Sequence, residues 1–250
     1  MDSDGSNQTR VTNNPAGDLV GQHPDWSPDG SKLAFSSFTG GNSNWDLSTI
    51  NVDGSNQQQL TSAAGGDFFP AWSPDNAKIA FEAPRDGPVA IYVIDADGSN
   101  ETRLTGTSSN NYHPAWSPDG AKIVFNSGRD GDLEIYVMNS DATNQTRLTN
   151  NPAPDFLPAW SPDGTSIAFV SRRDGNDEIY VMNSDGTSQT RLTINPGKDL
   201  APTWSPDSNW VAFESHRDGF SEIYVMRKDG SNLANITNRD GDDRTPDWGP

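Results

Sequence analysis

Apolar residues in this chain fall in short runs that alternate with turn-forming residues. In one stretch Ser166-Ile167-Ala168-Phe169-Val170 leads to Arg173-Asp174-Gly175, then Glu178-Ile179-Tyr180-Val181-Met182, then Asp185-Gly186, then Thr190-Arg191-Leu192-Thr193. Runs rich in β-branched and aromatic residues, bounded by Asp-Gly, predict strands joined by hairpins, because glycine supplies the positive φ that tight turns require. Just upstream, Pro158-Ala159-Trp160-Ser161-Pro162-Asp163-Gly164 adds a fourth strand and a turn in which the fixed φ of Pro162 suits the second position. No window keeps apolar residues at spacings of three and four over the roughly ten residues a helix needs.

The unit repeats. Pro-x-Trp occurs six times, with tryptophans at 26, 72, 116, 160, 204 and 248, separated by 46, 44, 44, 44 and 44 residues. A fixed period of this size marks a repeat architecture whose units bury their apolar faces by stacking on one another. Four-stranded antiparallel meanders are covered on both faces when they pack radially about a channel. The predicted fold is therefore all-β: a β-propeller of four-stranded antiparallel blades, one domain over residues 1–250. Five complete repeats lie near 24–61, 70–105, 114–149, 158–193 and 202–237, with partial blade strands at 1–12 and 245–250. Met1–Thr12 matches Met182–Thr193 almost position for position, so it reads as an outer strand, whereas 245–250 reads as an inner one. Six-bladed closure, with the two ends sharing a blade, is the alternative.

The recurring text Pro-Ala-Trp-Ser-Pro-Asp-Gly, Lys-Ile-Ala-Phe, Arg-Asp-Gly, Glu-Ile-Tyr-Val-Met, Asp-Gly-Ser-Asn, Thr-Arg-Leu-Thr resembles the WD-like repeat of the TolB-type β-propeller family over almost the whole chain. The resemblance implies six blades, protein or peptide partners and a periplasmic or secreted setting. Strand arithmetic gives five complete blades.

Charge narrows the partners. Thirty-five acidic against 17 basic residues leave a formal charge of −18, which repels nucleic acid and anionic membranes and favours cations or basic surfaces. The same acidity keeps a protein with exposed strand edges soluble. Only 32% of residues are hydrophobic, but they are concentrated in the periodic strands. Cysteine is absent, which excludes disulfides and thiol chemistry. No stretch approaches the roughly 20 apolar residues of a membrane span, and Met1 is followed at once by polar Asp2-Ser3-Asp4-Gly5.

Candidate chemistry starts with the residues five before each repeat tryptophan: Asp67, Asn111, Asp155, Asp199 and Asp243, with Gly21 in the first unit. On a propeller these are expected to ring the channel mouth. Converging carboxylates there would recruit a cation, calcium being suited to oxygen ligands, with Asp155, Asp199 and Asp243 as candidate metal ligands. The competing role is turn formation through local hydrogen bonds. His23 and His113, each three before a tryptophan, are expected at the same funnel rim. The repeat tryptophans read as core between blades; Trp45 and Trp210 fall off register and are candidate stacking surfaces for a carbohydrate or peptide. No nucleophile, zinc or phosphate-loop motif is present, so no catalytic residue is assigned.

The expected function is non-enzymatic binding of a protein or peptide through the acidic axial funnel. The alternative is a carbohydrate-active enzyme or lectin using the funnel carboxylates, and calcium is compatible with either. Unpaired terminal strands offer a route to a homo-oligomer.

Overall fold

The computed structural model describes residues 11–12, 24–39, 44–85, 87–106, 108–237 and 241–248. Among the described residues, twenty strands form five sheets. Blade 1 comprises β1 (Asp25–Trp26), β2 (Lys32–Thr39), β3 (Asn44–Asn51) and β4 (Gln58–Gln59); blade 2 comprises β5 (Phe68–Trp72), β6 (Lys78–Ala83), β7 (Ala90–Asp95) and β8 (Thr102–Arg103). Blade 3 follows with β9 (Asn111–Trp116), β10 (Lys122–Ser127), β11 (Glu134–Asn139) and β12 (Thr146–Arg147), and blade 4 with β13 (Asp155–Trp160), β14 (Ser166–Ser171), β15 (Glu178–Asn183) and β16 (Thr190–Arg191). Blade 5 has β17 (Asp199–Trp204), β18 (Trp210–Ser215), β19 (Glu222–Arg227) and β20 (Ala234–Asn235). Each sheet is a four-stranded meander in chain order, as the sequence predicts.

The core lies between blades. Ala168, Val170 and Ile179 of blade 4 pack with Trp204, Val211, Phe213, Tyr224 and Met226 of blade 5. The same arrangement joins blades 1 and 2, 2 and 3, and 3 and 4. Phe81, Phe125, Phe169 and Phe213, each nine residues after a repeat tryptophan, have no exposed surface, and each such side chain contributes about 2–3 kcal/mol by burial. Indole N–H groups tie neighbouring blades together: Trp116 donates to the Ala71 carbonyl and Trp204 to that of Ala159, both at 3.1 Å.

One backbone device recurs on the inner strands. In blades 2 to 5 the register slips between the start of the strand and the Pro-x-Trp segment. At each slip a residue other than glycine adopts positive φ: Phe69 (52°), His113 (53°), Leu157 (53°) and Ala201 (51°), with Thr245 (50°) at the corresponding place in the last segment. Each costs on the order of 1 kcal/mol. The bulge re-aims the chain so that the proline and the residue after it face the axis.

The flanks extend this pattern. Residues 1–10 of the expected amino-terminal strand lie outside the described residues. A side chain at Gly54 would meet the Val11 carbonyl at 2.9 Å, just as one at Gly98 would meet Leu60, one at Gly186 Leu148 and one at Gly230 Leu192. Val11 thus packs on blade 1 as the outer strand of each blade packs on the next. At the other end, Thr203 donates to Asp247 at 3.4 Å and the Trp26 amide also donates to Asp247. Segment 245–248 therefore bridges blade 5 and blade 1, and the inner segments form a closed ring about five complete blades.

Candidate functional site: the axial channel

The inner segments converge on a cavity of about 140 Å³ whose wall includes Asp25, Phe69, His113, Leu157, Ala201 and Asp247 together with the six Pro-x-Trp prolines. A second cavity of about 360 Å³ opens at the tryptophan end and shares Asp25 and Asp247 with the first. These two carboxylates thus stand at the waist of one axial channel.

The residues expected at the funnel rim are placed differently. Asp67, Asp155 and Asp199 have no exposed surface, and none of Asp67, Asn111, Asp155, Asp199 and Asp243 lines either cavity. Each of the first four is instead held by the arginine eighteen residues later in its own blade. Arg85 donates to Asp67 at 2.7 Å, Arg129 to Asn111 at 3.0 Å, Arg173 to Asp155 at 2.8 Å and Arg217 to Asp199 at 3.1 Å. The Arg-Asp-Gly turns that supply these arginines also stack them on the blade tyrosines, with Arg129, Arg173 and Arg217 lying 4.4–4.6 Å from the ring centroids of Tyr136, Tyr180 and Tyr224. The tyrosine hydroxyls in turn donate to Asp130, Asp174 and Asp218. Burial raises Asp67 to about 6, against the opposing hydrogen bonds of Thr61 and Arg85, and burial also raises Asp155. Asp243 is half-buried and its amide donates to the Ser221 carbonyl at 2.7 Å. Asp155, Asp199 and Asp243 are not brought to one point, and among the described residues no three His, Asp or Glu side chains cluster as a metal site.

His113 does reach the channel, whereas His23 lies outside the described residues. The His113 ring packs edge-on against Phe69 at 4.2 Å, its Nδ1 lies 2.8 Å from Asn126 Oδ1, and its amide donates to Glu82 at 2.7 Å. Burial lowers the imidazole to about 4, keeping it neutral, and raises Glu82 to about 8. Trp45 packs edge-on with Phe38 at 5.3 Å, and Trp210 lies beneath Arg227 at 5.1 Å. Neither tryptophan lines the two axial cavities.

Asp25 and Asp247 were not singled out by motif, yet the sequence carries a signal for them. The middle residue of Pro-x-Trp is Asp25, Ala71, Ala115, Ala159, Thr203 and Asp247, so a carboxylate stands only in the first and last copies. Ring closure makes those copies neighbours. Asp25 accepts the Trp72 amide at 2.6 Å. Burial, then the charge of Asp247, raises Asp25 well above the usual carboxylate range, and desolvation raises Asp247 to about 7. Asp247 is itself exposed toward the open channel, and it is partial desolvation by the surrounding ring of protein that raises it.

A family model described as the TolB beta propeller domain matches residues 1–154 and 148–250. Among solved structures, TolB from Acinetobacter baumannii is similar at 26% identity and a TM-score of 0.80, over 91% of this chain and 57% of that one. A putative TolB from Agrobacterium tumefaciens is 28% identical with a TM-score of 0.77, over 92% of this chain and 86% of that one. This chain spans somewhat over half the length of the Acinetobacter protein. An oligogalacturonate lyase in complex with manganese shares the fold alone, at 18% identity and a TM-score of 0.63 over 85% of this chain and 64% of that one. No curated protein matches.

Proposed function

This chain belongs to the TolB beta-propeller domain family, and we propose that it is a non-enzymatic recognition scaffold that takes a protein or peptide segment into its axial channel. The carrying observation is where the repeat's irregularities collect. Among the described residues four strained bulges, at Phe69, His113, Leu157 and Ala201, face the axis, and the only carboxylates among the Pro-x-Trp middle residues stand at the channel waist. Strain retained at one place in a fold points to function. Extended segments suit such a site, since their side chains alternate and they present free backbone groups.

A peptide library displayed and selected on the whole chain tests this reading. Selected peptides are expected to lose binding to Ala115→Gln, which narrows the channel at an inward-facing alanine without touching the Arg-Asp pairs. Selection of peptides indifferent to that substitution would overturn it. Self-association is a further proposal. It is favoured by the outward face of blade 5, where Ile236 is 38% exposed while its counterparts Leu60 and Leu104 are 8% and 9% exposed. Molecular mass by light scattering, with Ile236→Lys restoring a monomer, is its test.

A further inference from the structure

The tryptophan end of the channel differs in chemistry from the bulge end. Its walls are the indoles of Trp26, Trp116, Trp160, Trp204 and Trp248 with the prolines of four of the turns that follow, and its floor is Asp25 and Asp247. Tryptophan side chains around a carboxylate floor suit an organic cation: aromatic rings attract a cation through their quadrupole and cover its methylenes, while carboxylates accept its N–H bonds. The rim has the same sign. Asp29, Asp119, Asp163 and Asp207 each follow a wall-lining proline, and each spends Oδ1 on its own turn, accepting from the turn serine at 2.6–2.8 Å. These hydrogen bonds lower all four carboxylates, so the rim stays ionised in mildly acidic solution. A net charge of −18 adds long-range attraction for a cationic partner.

We infer that this mouth is a receptor for a primary ammonium group on an extended chain, the lysine side chain of a partner peptide, with the methylenes against the indoles and the Nζ at Asp25 and Asp247. The inference rests on the reading of the channel as the recognition element and adds the chemistry of the partner. Asp25 and Asp247 also face the Trp72 and Trp26 amides and the Thr203 hydroxyl, and His113 is the other titratable group on the two cavity walls. With Asp247 held up to about 7 by desolvation, an arriving ammonium displaces a proton at neutral pH. Capture therefore strengthens as pH rises through 7.

The test is a pair of capped pentapeptides, one with a central lysine and one with norleucine there, titrated into the whole chain by calorimetry and tryptophan fluorescence at low salt and pH 8. The lysine peptide is expected to bind about tenfold tighter, a step of about 1.4 kcal/mol. That preference is expected to shrink on lowering the pH to 6 and to fall below about twofold in Asp25→Asn/Asp247→Asn. Asp247→Asn alone, which keeps the Asp25–Trp72 bond, serves should the double variant fail to fold, and is expected to give an intermediate preference. Equal affinity of the two peptides, binding of neither, or a preference that survives both variants would overturn the inference. Equal affinities that are both abolished by Ala115→Gln would leave channel recognition standing and remove only its ammonium chemistry.

Discussion

Two sets of aspartates, carried by different inner segments, meet opposite fates. Asp67, Asp155 and Asp199 recur with the repeat and are buried against arginines within their own blades. Asp25 and Asp247 break the repeat and stand together at the axis. A carboxylate that every blade repeats satisfies a need of every blade, here fastening the start of the inner strand to the Arg-Asp-Gly turn. Those that appear where other blades have alanine or threonine answer no need common to every blade: beyond the inter-blade amides they accept, standing beside each other is an electrostatic cost that function accounts for.

The largest expected effect comes from breaking the first set. Arg173→Ala leaves the buried Asp155 without its counter-charge and is expected to cost about 3–5 kcal/mol, seen as a melting temperature lowered by roughly 6 to 20 °C. An exposed-pair value, below about 1 kcal/mol, would show the clasp to be incidental.

Next in size is the pH dependence. Two buried carboxylates, Glu82 at about 8 and Asp67 at about 6, stand above their ordinary values of 4.5 and 3.8. The folded chain therefore binds more protons than the unfolded one between about pH 4 and 8, and stability falls as pH rises through that window. Denaturant unfolding at pH 5 and pH 8 is expected to differ by about 3–5 kcal/mol, and Glu82→Gln to remove much of the difference. The turn aspartates run the other way: lowered by their hydrogen bonds, Asp207 to about 2, they withdraw their contribution only as pH falls below about 4.

Smaller effects sharpen the account of the repeat. Tyr180→Phe removes the hydroxyl that donates to Asp174 and is expected to cost about 1 kcal/mol by thermal melting. Ala142 holds φ at 70° where the equivalent Gly98, Gly186 and Gly230 hold 83–89°. Ala142→Gly is expected to stabilise blade 3 by about 0.5–1 kcal/mol, opposite in sign to most glycine substitutions.

The fold was legible because one blade is written five times. Strand positions, the Asp-Gly turns and the tryptophan core each follow from local chemistry that the period then multiplies. The site was less legible. Spacing placed Asp67 and its counterparts near the axis, but not the arginine eighteen residues on that takes them out of reach, since a contact between one inner strand and a later turn depends on the twist of the sheet. Asp25 and Asp247 were visible as departures from the repeat, and only closure of the ring makes them neighbours. Glu82 carried only a partial signal: of its counterparts Asn126, Val170 and Glu214, only Glu214 is also a carboxylate, and it accepts the Thr245 amide as Glu82 accepts that of His113.

The central claim is that the repeated aspartates hold the blades while the two that break the repeat serve the channel. The same substitution at each kind of site tests it: thermal melts of Asp155→Asn and Asp247→Asn at pH 8 against the unaltered chain. Asp155→Asn is expected to lower the midpoint, because Arg173 loses its counter-charge, and Asp247→Asn to raise it by relieving repulsion with Asp25. Loss of stability in both, to a similar extent, would contradict the claim.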